Sequence, residues 1–519
     1  MLQELVHGVA AAFTIGYVSL GLTLFAGVII WRASILYLIY RNRPREVPIT
    51  SRSYSVGKWI KNFQFITSAP AQILQASVAL GFSSTFAMPS LNEFHVLVAG
   101  QQDVEAVCNS DEDVLSFHEA MTDRMQHYYT MWGFKHDGTD PHDNVPIRTV
   151  KVLLRKHIPT LRPLIQKKIQ DGYSTVIANG HKIDEWTAVS IFQLSKSIVE
   201  ETNVQVILGD ELGSNPECVK AAIRYSIDAV VAAELCRQLP SILTPLIAPM
   251  IMSWSGAMSK VAMFIQSTLE KRTQESMENP INNKVYNDCI QWTMESSNTP
   301  AQRTTSRLVA QIIGLLLASS HQMSMVLVYV LYALCDHPEF IEPLRQEIAE
   351  AMATNPEDPL KEMHLLDSFL TEVSRLHPPD ALTVQRKVKK EFTTPSGAIV
   401  PPGNLIAIPI LAQSRNPQVF VDPDRFDGRR FLLKKDQTQG INAVSRFTDL
   451  RQSYLFWGAP RKACPGRWYV SEALKQAMVH LLTHYDFKLK DESLSRFLYW
   501  TTAIFPRPDR VILLKRRYY

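Results

Sequence analysis

Hydrophobic and polar positions change their rhythm at a few sharp boundaries along this chain. Residues 9–31 include no charged side chain over about 23 positions; as a helix this run reaches roughly 34 Å, enough to cross the hydrocarbon core of a bilayer. Arg32, Arg41, Arg43 and Arg45 follow it, whereas the stretch before it holds no Lys or Arg. Positive charge stays on the cytoplasmic side, so the bulk of the chain is expected there, tethered by a single span. A cleaved signal peptide is disfavoured, because the run is too long and lacks a basic start. Pro44 and Pro48 end the helix and stiffen the link to the next domain. The expected division is residues 1–48 for anchor and linker and 49–519 for one globular domain.

Within that domain, residues 50–110 mix short apolar runs with turns and are read as a small sheet. From 145 to 275 helical periodicity dominates. Residues 239–249 interrupt it: they are apolar but broken by Pro240, Pro245 and Pro249, and are read as a loop, either dipping into the membrane surface beside the anchor or buried as a connection. Residues 304–336 predict a long helix stopped by Pro338. It is apolar nearly all round and so belongs inside the core. Residues 341–353 and 360–377 predict further helices. From 384 to 410 the period shortens to that of strands, with Pro401-Pro402-Gly403 as a turn. A helix over 467–485 and a strand-rich tail complete a mainly α, α+β pattern.

Composition alters this picture little. The chain of 519 residues is 46% hydrophobic and 20% charged, as large globular proteins are. Its 54 Lys and Arg against 50 Asp and Glu leave a net charge of +4, too balanced to argue for nucleic acid as a partner. Six cysteines, none at CxxC spacing, make no disulfide framework and point to a reducing compartment. Five of them read as buried thiols.

The sixth is Cys464, in Trp457-Gly458-Ala459-Pro460-Arg461-Lys462-Ala463-Cys464-Pro465-Gly466-Arg467. A thiolate ligand needs positive potential around it, otherwise its pKa stays near ~8.5. Arg461, Lys462 and Arg467 supply charge, and the N-terminus of the following helix adds a partial positive end. Gly466 lets the backbone pass close to a flat cofactor. The segment resembles the haem loop of the cytochrome P450 family, F-G-x-G-x-[HR]-x-C-x-G. Gly458, Cys464 and Gly466 match, while Trp457 stands for the Phe, Pro460 for the second Gly and Lys462 for the His or Arg. Three more segments are similar to family motifs in the family's order. Glu372-Val373-Ser374-Arg375 resembles E-x-x-R, with both charges on one helix face, directly ahead of Leu376-His377-Pro378-Pro379. Pro423-Asp424-Arg425-Phe426 resembles P-E-R-F, whose Arg packs on the E-x-x-R pair. Residues 331–339 resemble the end of the family's long central helix.

The resemblance implies a triangular helical domain with small sheets. Haem b would lie between the central helix and the cysteine helix, with Cys464 as axial ligand of the iron. It implies a monooxygenase using O2; a thiolate donates electron density into the iron and favours O–O cleavage. By position, Arg386 and Lys462 match cations that pair haem propionates, and Arg148 and His142 are candidates for a third. Substrate contacts would fall in residues 128–134, 315–323, 380–384 and 501–505, whose few charges suit a hydrophobic substrate. Val145–Arg148 and residues 239–249 resemble fungal enzymes of secondary metabolism, several of which act on polycyclic terpenoids. No flavin or nicotinamide fingerprint occurs. Electrons are therefore expected from a separate NADPH-cytochrome P450 reductase, met by the basic face on the cysteine side. The expected location is the endoplasmic reticulum membrane, with the catalytic domain cytoplasmic.

One family motif is altered. Ala318-Ser319-Ser320-His321-Gln322-Met323 falls on A-G-x-[DE]-T-T: Ala318 matches and Ser319 is small like the Gly, but His321 replaces the acid and Gln322 the Thr. His shuttles a proton near neutral pH and Gln offers a donor and an acceptor. Ser319, His321 and Gln322 are therefore read as the proton-relay set, with Ser320 or Ser324 and bound water as the alternative carriers. The same departure leaves open a haem-thiolate isomerase or dehydratase, which needs neither O2 nor reductase. A non-catalytic membrane protein that binds haem or lipid is the remaining alternative.

Overall fold

A computed structural model describes residues 37–50, 57–90, 92–135, 145–239, 241–278, 285–432, 445–451 and 453–518, with scattered positions between 26 and 34. The expected membrane span at 9–31 and His142 lie outside the described residues, apart from three positions of the span. After a helical stretch at residues 37–41 the chain does not leave the domain. Arg45 bridges to Ile399 and Ile49 to Ala87; Ile39 joins the apolar cluster around Phe94, and the Tyr40 ring meets that of Phe94 edge-on. The link around Pro44 and Pro48 is thus an edge element of the domain.

A five-stranded sheet has the order Phe86–Pro89, Phe94–Leu97, Leu405–Ile408, Thr383–Val388, Leu115–Ser116. Only the pairing of Phe94–Leu97 with Leu405–Ile408 is parallel. A four-stranded sheet has the order Tyr485–Leu489, Val511–Arg516, Trp186–Ser190, His181–Ile183, and two hairpins complete the strands described. Helices, with irregular stretches between them, make up the rest of the described residues. Thr305–Asp336 runs through the main core, with Leu308, Ile312, Ile313, Leu316, Leu327 and Leu331 buried. It is long and apolar enough to cross a membrane, but its side chains are spent in this core. The helices expected near 341–353, 360–377 and 467–485 occur as Ile341–Thr354, His364–Leu376 and Arg467–His484.

Three expectations are corrected. Residues 50–110 hold a helix, Gly57–Leu80, ahead of the sheet. Its buried Phe65, Ala69, Ile73 and Ser77 recur every fourth position, a stripe that outweighs Pro70. The helical region 145–275 contains the hairpin His181–Ile183 with Trp186–Ser190. Its second strand pairs with Val511–Arg516 near the other end of the chain, a partner no local pattern reveals. Residues 239–249 are not a loop: Ser241–Leu243 forms a short turn of helix, and Thr244–Trp254 is α-helical. Pro245 sits in the first turn, where its missing N–H is not needed, and Pro249 forfeits one bond, the one to the Pro245 carbonyl. Gly256, at φ +66°, then allows a 73° bend into Ala257–Glu278.

Candidate active site

The cysteine loop is closed by its own backbone. The Cys464 N–H donates to the Trp457 carbonyl at 2.7 Å, and the Lys462 N–H to that of Ala459 at 2.9 Å. Gly458 has φ +83°, and a Cβ there would stand 3.2 Å from the Lys462 carbonyl, so glycine is required. Trp457 takes the family's Phe position because its indole N–H finds the Phe447 carbonyl at 2.7 Å while its ring packs edge-on to Phe447 and Phe456. The helix Arg467–His484 begins just after, and the N–H groups of Gly466 and Arg467 at its start point to the sulfur. Burial pushes the Cys464 thiol up; the N–H groups of Gly466 and Arg467 and the Arg467 charge pull it down. A bound iron would complete the deprotonation.

Of the three cations expected beside the sulfur, only Arg467 acts on it. Its guanidinium donates to the carbonyls of Cys464 at 2.9 Å and Thr448 at 3.1 Å. It stacks on Trp468, as Arg155 also does. Arg461 turns to the Asn109 carbonyl. Lys462 pairs with Glu112, whose carboxyl is held at about 2: burial works against this, and the His118 N–H and the Lys462 ammonium overcome it. A propionate at Lys462 would have to share the ammonium with that carboxylate or displace it.

On the other side, Thr305–Asp336 is buried along most of its length, yet Ala318 and Gln322, one turn apart in its middle, are exposed, and Leu315 and Ser319 are half-buried. The helix therefore borders open space there. His321 points elsewhere, its Nε2 lying 3.0 Å from the Ser226 carbonyl on the neighbouring helix Pro216–Gln238. Burial lowers its pKa, so it is a neutral tether at physiological pH. The Ser319, Ser320 and Ser324 hydroxyls donate back to Leu316, Leu316 and Ser320 carbonyls.

The residues fit a haem in this gap. A Cβ added to Gly466 would meet only Val150, at 3.6 Å, so the backbone beside the cysteine is open to a flat group. Arg386, 5% exposed, donates to the Gln385 carbonyl and has no ion-pair partner among the described residues. A buried guanidinium without an anion is costly, and a propionate would supply the missing charge. Arg148, half-buried, donates to the Ser296 carbonyl at 2.8 Å and likewise forms no ion pair among the described residues.

Glu372 and Arg375, both fully buried, form a bidentate contact at 2.7 and 2.8 Å. Arg375 also donates to the carbonyls of Ser414 and Pro423. The third member is Arg430, not Arg425. Arg430 reaches Glu372 at 3.1 Å, whereas the Arg425 side chain is exposed and only its carbonyl takes part, accepting from Arg430. The turn after Pro423 delivers the Arg-Phe pair at 430–431 instead of the one at 425–426. That second Arg-Phe was the available signal in the sequence.

Helical domain, small sheets, an encircled cysteine and a buried Glu–Arg pair together define a haem-thiolate protein. The family model for cytochrome P450 matches residues 82–514, and the chain belongs to the cytochrome P450 family. It is similar to the cytochrome P450 monooxygenase olcJ of Penicillium canescens, 26% identical over 93% of this chain and 91% of that one. The cytochrome P450 monooxygenase AN1598 of Emericella nidulans is 31% identical over 64% of each chain. Among solved structures, the retinoic acid bound cyanobacterial CYP120A1 superposes with a TM-score of 0.66, covering 85% of this chain and 93% of that one at 16% identity, a likeness of fold. The protein is a cytochrome P450 monooxygenase, an oxidoreductase that carries haem on a cysteine thiolate and requires O2, a substrate and a redox partner.

Proposed function

We propose that this enzyme inserts oxygen into a hydrophobic small molecule, a polycyclic terpenoid or related secondary metabolite, with electrons from a membrane-bound NADPH-cytochrome P450 reductase. The observation that carries the reading is the open face of the central helix, where Ala318 and Gln322 are exposed between buried neighbours. The segments expected to meet substrate carry apolar side chains at Leu315, Leu382, Val384 and Ile504, a composition that suits a greasy ligand. Fungal monooxygenases among the relatives agree with a place in secondary metabolism. The test is expression with a reductase in a host that makes candidate terpenoids: oxidised product that needs both NADPH and O2 supports the reading. Product formed without them moves the enzyme to the isomerase or dehydratase class.

Cys464, Arg386 and, on release from Glu112, Lys462 would hold the haem; Arg148 is a weaker anchor, already given to a carbonyl. When bound, the haem supplies reductive activation of O2. The protein's part is to position substrate and deliver protons. His321 is committed to Ser226 and kept neutral, so the side chain left facing the gap is Gln322, whose amide both donates and accepts. Gln322→Ala is expected to raise peroxide released per product about tenfold, the effect of ~1.4 kcal/mol on one branch, with substrate affinity little changed. Equal coupling in mutant and wild type would remove Gln322 from the relay.

The endoplasmic reticulum membrane is the proposed location. Leu246, Met250 and Trp254 stand 69%, 55% and 82% exposed, every fourth residue along Thr244–Trp254, and Ile242, 83% exposed in the short turn before it, continues the spacing. Such a stripe with a terminal Trp suits the membrane interface. A fluorophore attached at Leu246→Cys in the full chain should shift to the blue on reconstitution into lipid vesicles and be quenched from the acyl region. An unchanged spectrum would place this helix in water.

A further inference from the structure

One chain of buried polar groups, outside the Glu372–Arg375 network, crosses from the helix after the cysteine to the main-chain carbonyl of Ser319 on the central helix. Tyr469, in the first turn of Arg467–His484, is 5% exposed, and its hydroxyl donates to Asn203 Oδ1 at 2.7 Å. Asn203, 1% exposed within the helix Ile191–Gly213, donates from Nδ2 to the Ser319 carbonyl at 2.8 Å. Ser319 adjoins Ala318 on the open face and precedes Gln322 by three residues. Asparagine is a poor helix former and is costly to bury unless its polar atoms are satisfied. Here its acceptor and its donor are spent on two different helices, and Val199, Val204 and Val206 around it in sequence are buried and apolar. An apolar side chain would fill this place more cheaply if packing were its only task.

We propose that Asn203 is a positioning residue, bonded through Tyr469 and Ser319 so that the helix that follows the haem-ligating cysteine keeps a fixed register against the helix face that meets O2 and substrate. The inference rests on the monooxygenase reading above. Cys464 lies five residues before Tyr469, and Gln322 three after Ser319. Loosening either bond lets the sulfur side and the proton-delivering side move independently. Haem would then be held less firmly, and reduced oxygen would escape before product forms.

The experiment uses the full-length holoenzyme. Tyr469→Phe removes one hydroxyl. Asn203→Asp keeps an acceptor for Tyr469 but sets an oxygen against the Ser319 carbonyl, and Asn203→Leu removes both bonds at similar volume. Ile348→Val, a small truncation at a buried site in Ile341–Thr354, is the control for general destabilisation. Tyr469→Phe should retain the thiolate-type carbon monoxide spectrum, release about fivefold more peroxide per product, and lose haem to excess apomyoglobin about fivefold faster. That factor corresponds to the ~1 kcal/mol net worth of a hydrogen bond. Asn203→Asp should exceed it on both measures. Wild-type coupling and haem retention in Tyr469→Phe and Asn203→Asp would overturn the proposal. So would equal uncoupling in Ile348→Val at the same loss of melting temperature. If Asn203→Leu fails to fold, the two polar variants decide. A wild-type chain without the thiolate-type spectrum would instead overturn the monooxygenase reading, and this inference with it.

Discussion

Cys464→Ser and Cys464→Ala are expected to abolish the thiolate-type carbon monoxide spectrum and the monooxygenase activity. The loop around Cys464 is closed by main-chain bonds, from Cys464 N–H to Trp457 and from Lys462 N–H to Ala459, and the Gly458 turn is likewise independent of the thiol. Both variants should therefore keep the fold and the gap. What they lose is a soft, electron-rich sulfur, for which an oxygen or a void is a poor substitute at iron. Desolvation pushes the half-buried thiol up, and the Gly466 and Arg467 N–H groups with the Arg467 guanidinium pull it down. A thiolate-type band surviving in either variant, measured on protein with unchanged melting, would remove Cys464 from the axial position.

The second large effect is at the buried charge pair. Glu372→Ala and Arg375→Ala are each expected to cost about 3–5 kcal/mol, because removal of one partner strands the other charge in a dry interior. The structure ranks them. Glu372 accepts from Arg375, from Arg430 and from the Asp427 N–H, so its loss strands two guanidiniums. With Arg375 gone, Glu372 keeps Arg430. Glu372→Ala should therefore be the more damaging, with a lower haem-to-protein ratio and the larger drop in melting temperature. Arg430→Ala should fall below both, and Arg425→Ala should leave both quantities unchanged. Full haem and wild-type melting in Glu372→Ala would reduce the pair to a dispensable bridge. A larger effect at Arg425 than at Arg430 would contradict the network described.

That last contrast shows where reading the chain alone stopped. The E-x-x-R pair is legible because Glu and Arg three apart must share a helix face whatever surrounds them. The third cation depends on how a turn without regular structure folds back, and two Arg-Phe pairs five residues apart offered equal claims. The proline-rich stretch misled for a related reason. Proline position within a helix decides whether it breaks it, and the start of Thr244–Trp254 was not marked by any capping side chain.

Local chemistry settled most of what this protein is. Cys464 with its glycines, the Glu372–Arg375 spacing and the apolar length of 304–336 act within a few residues, where backbone geometry leaves few options. Order along the chain was enough to set the haem-thiolate family and the helical architecture. Tertiary structure decided what depends on partners distant in sequence. It gave Lys462 to Glu112 and left Arg386 without an ion-pair partner among the described residues. It turned His321 to Ser226, left Gln322 exposed, and joined Tyr469, Asn203 and Ser319 across three helices. Which hydrogen bond or ion pair a polar side chain makes depends on the few ångströms that separate candidates. Those distances exist only once elements hundreds of residues apart have packed, so no periodicity or spacing in the sequence encodes them directly.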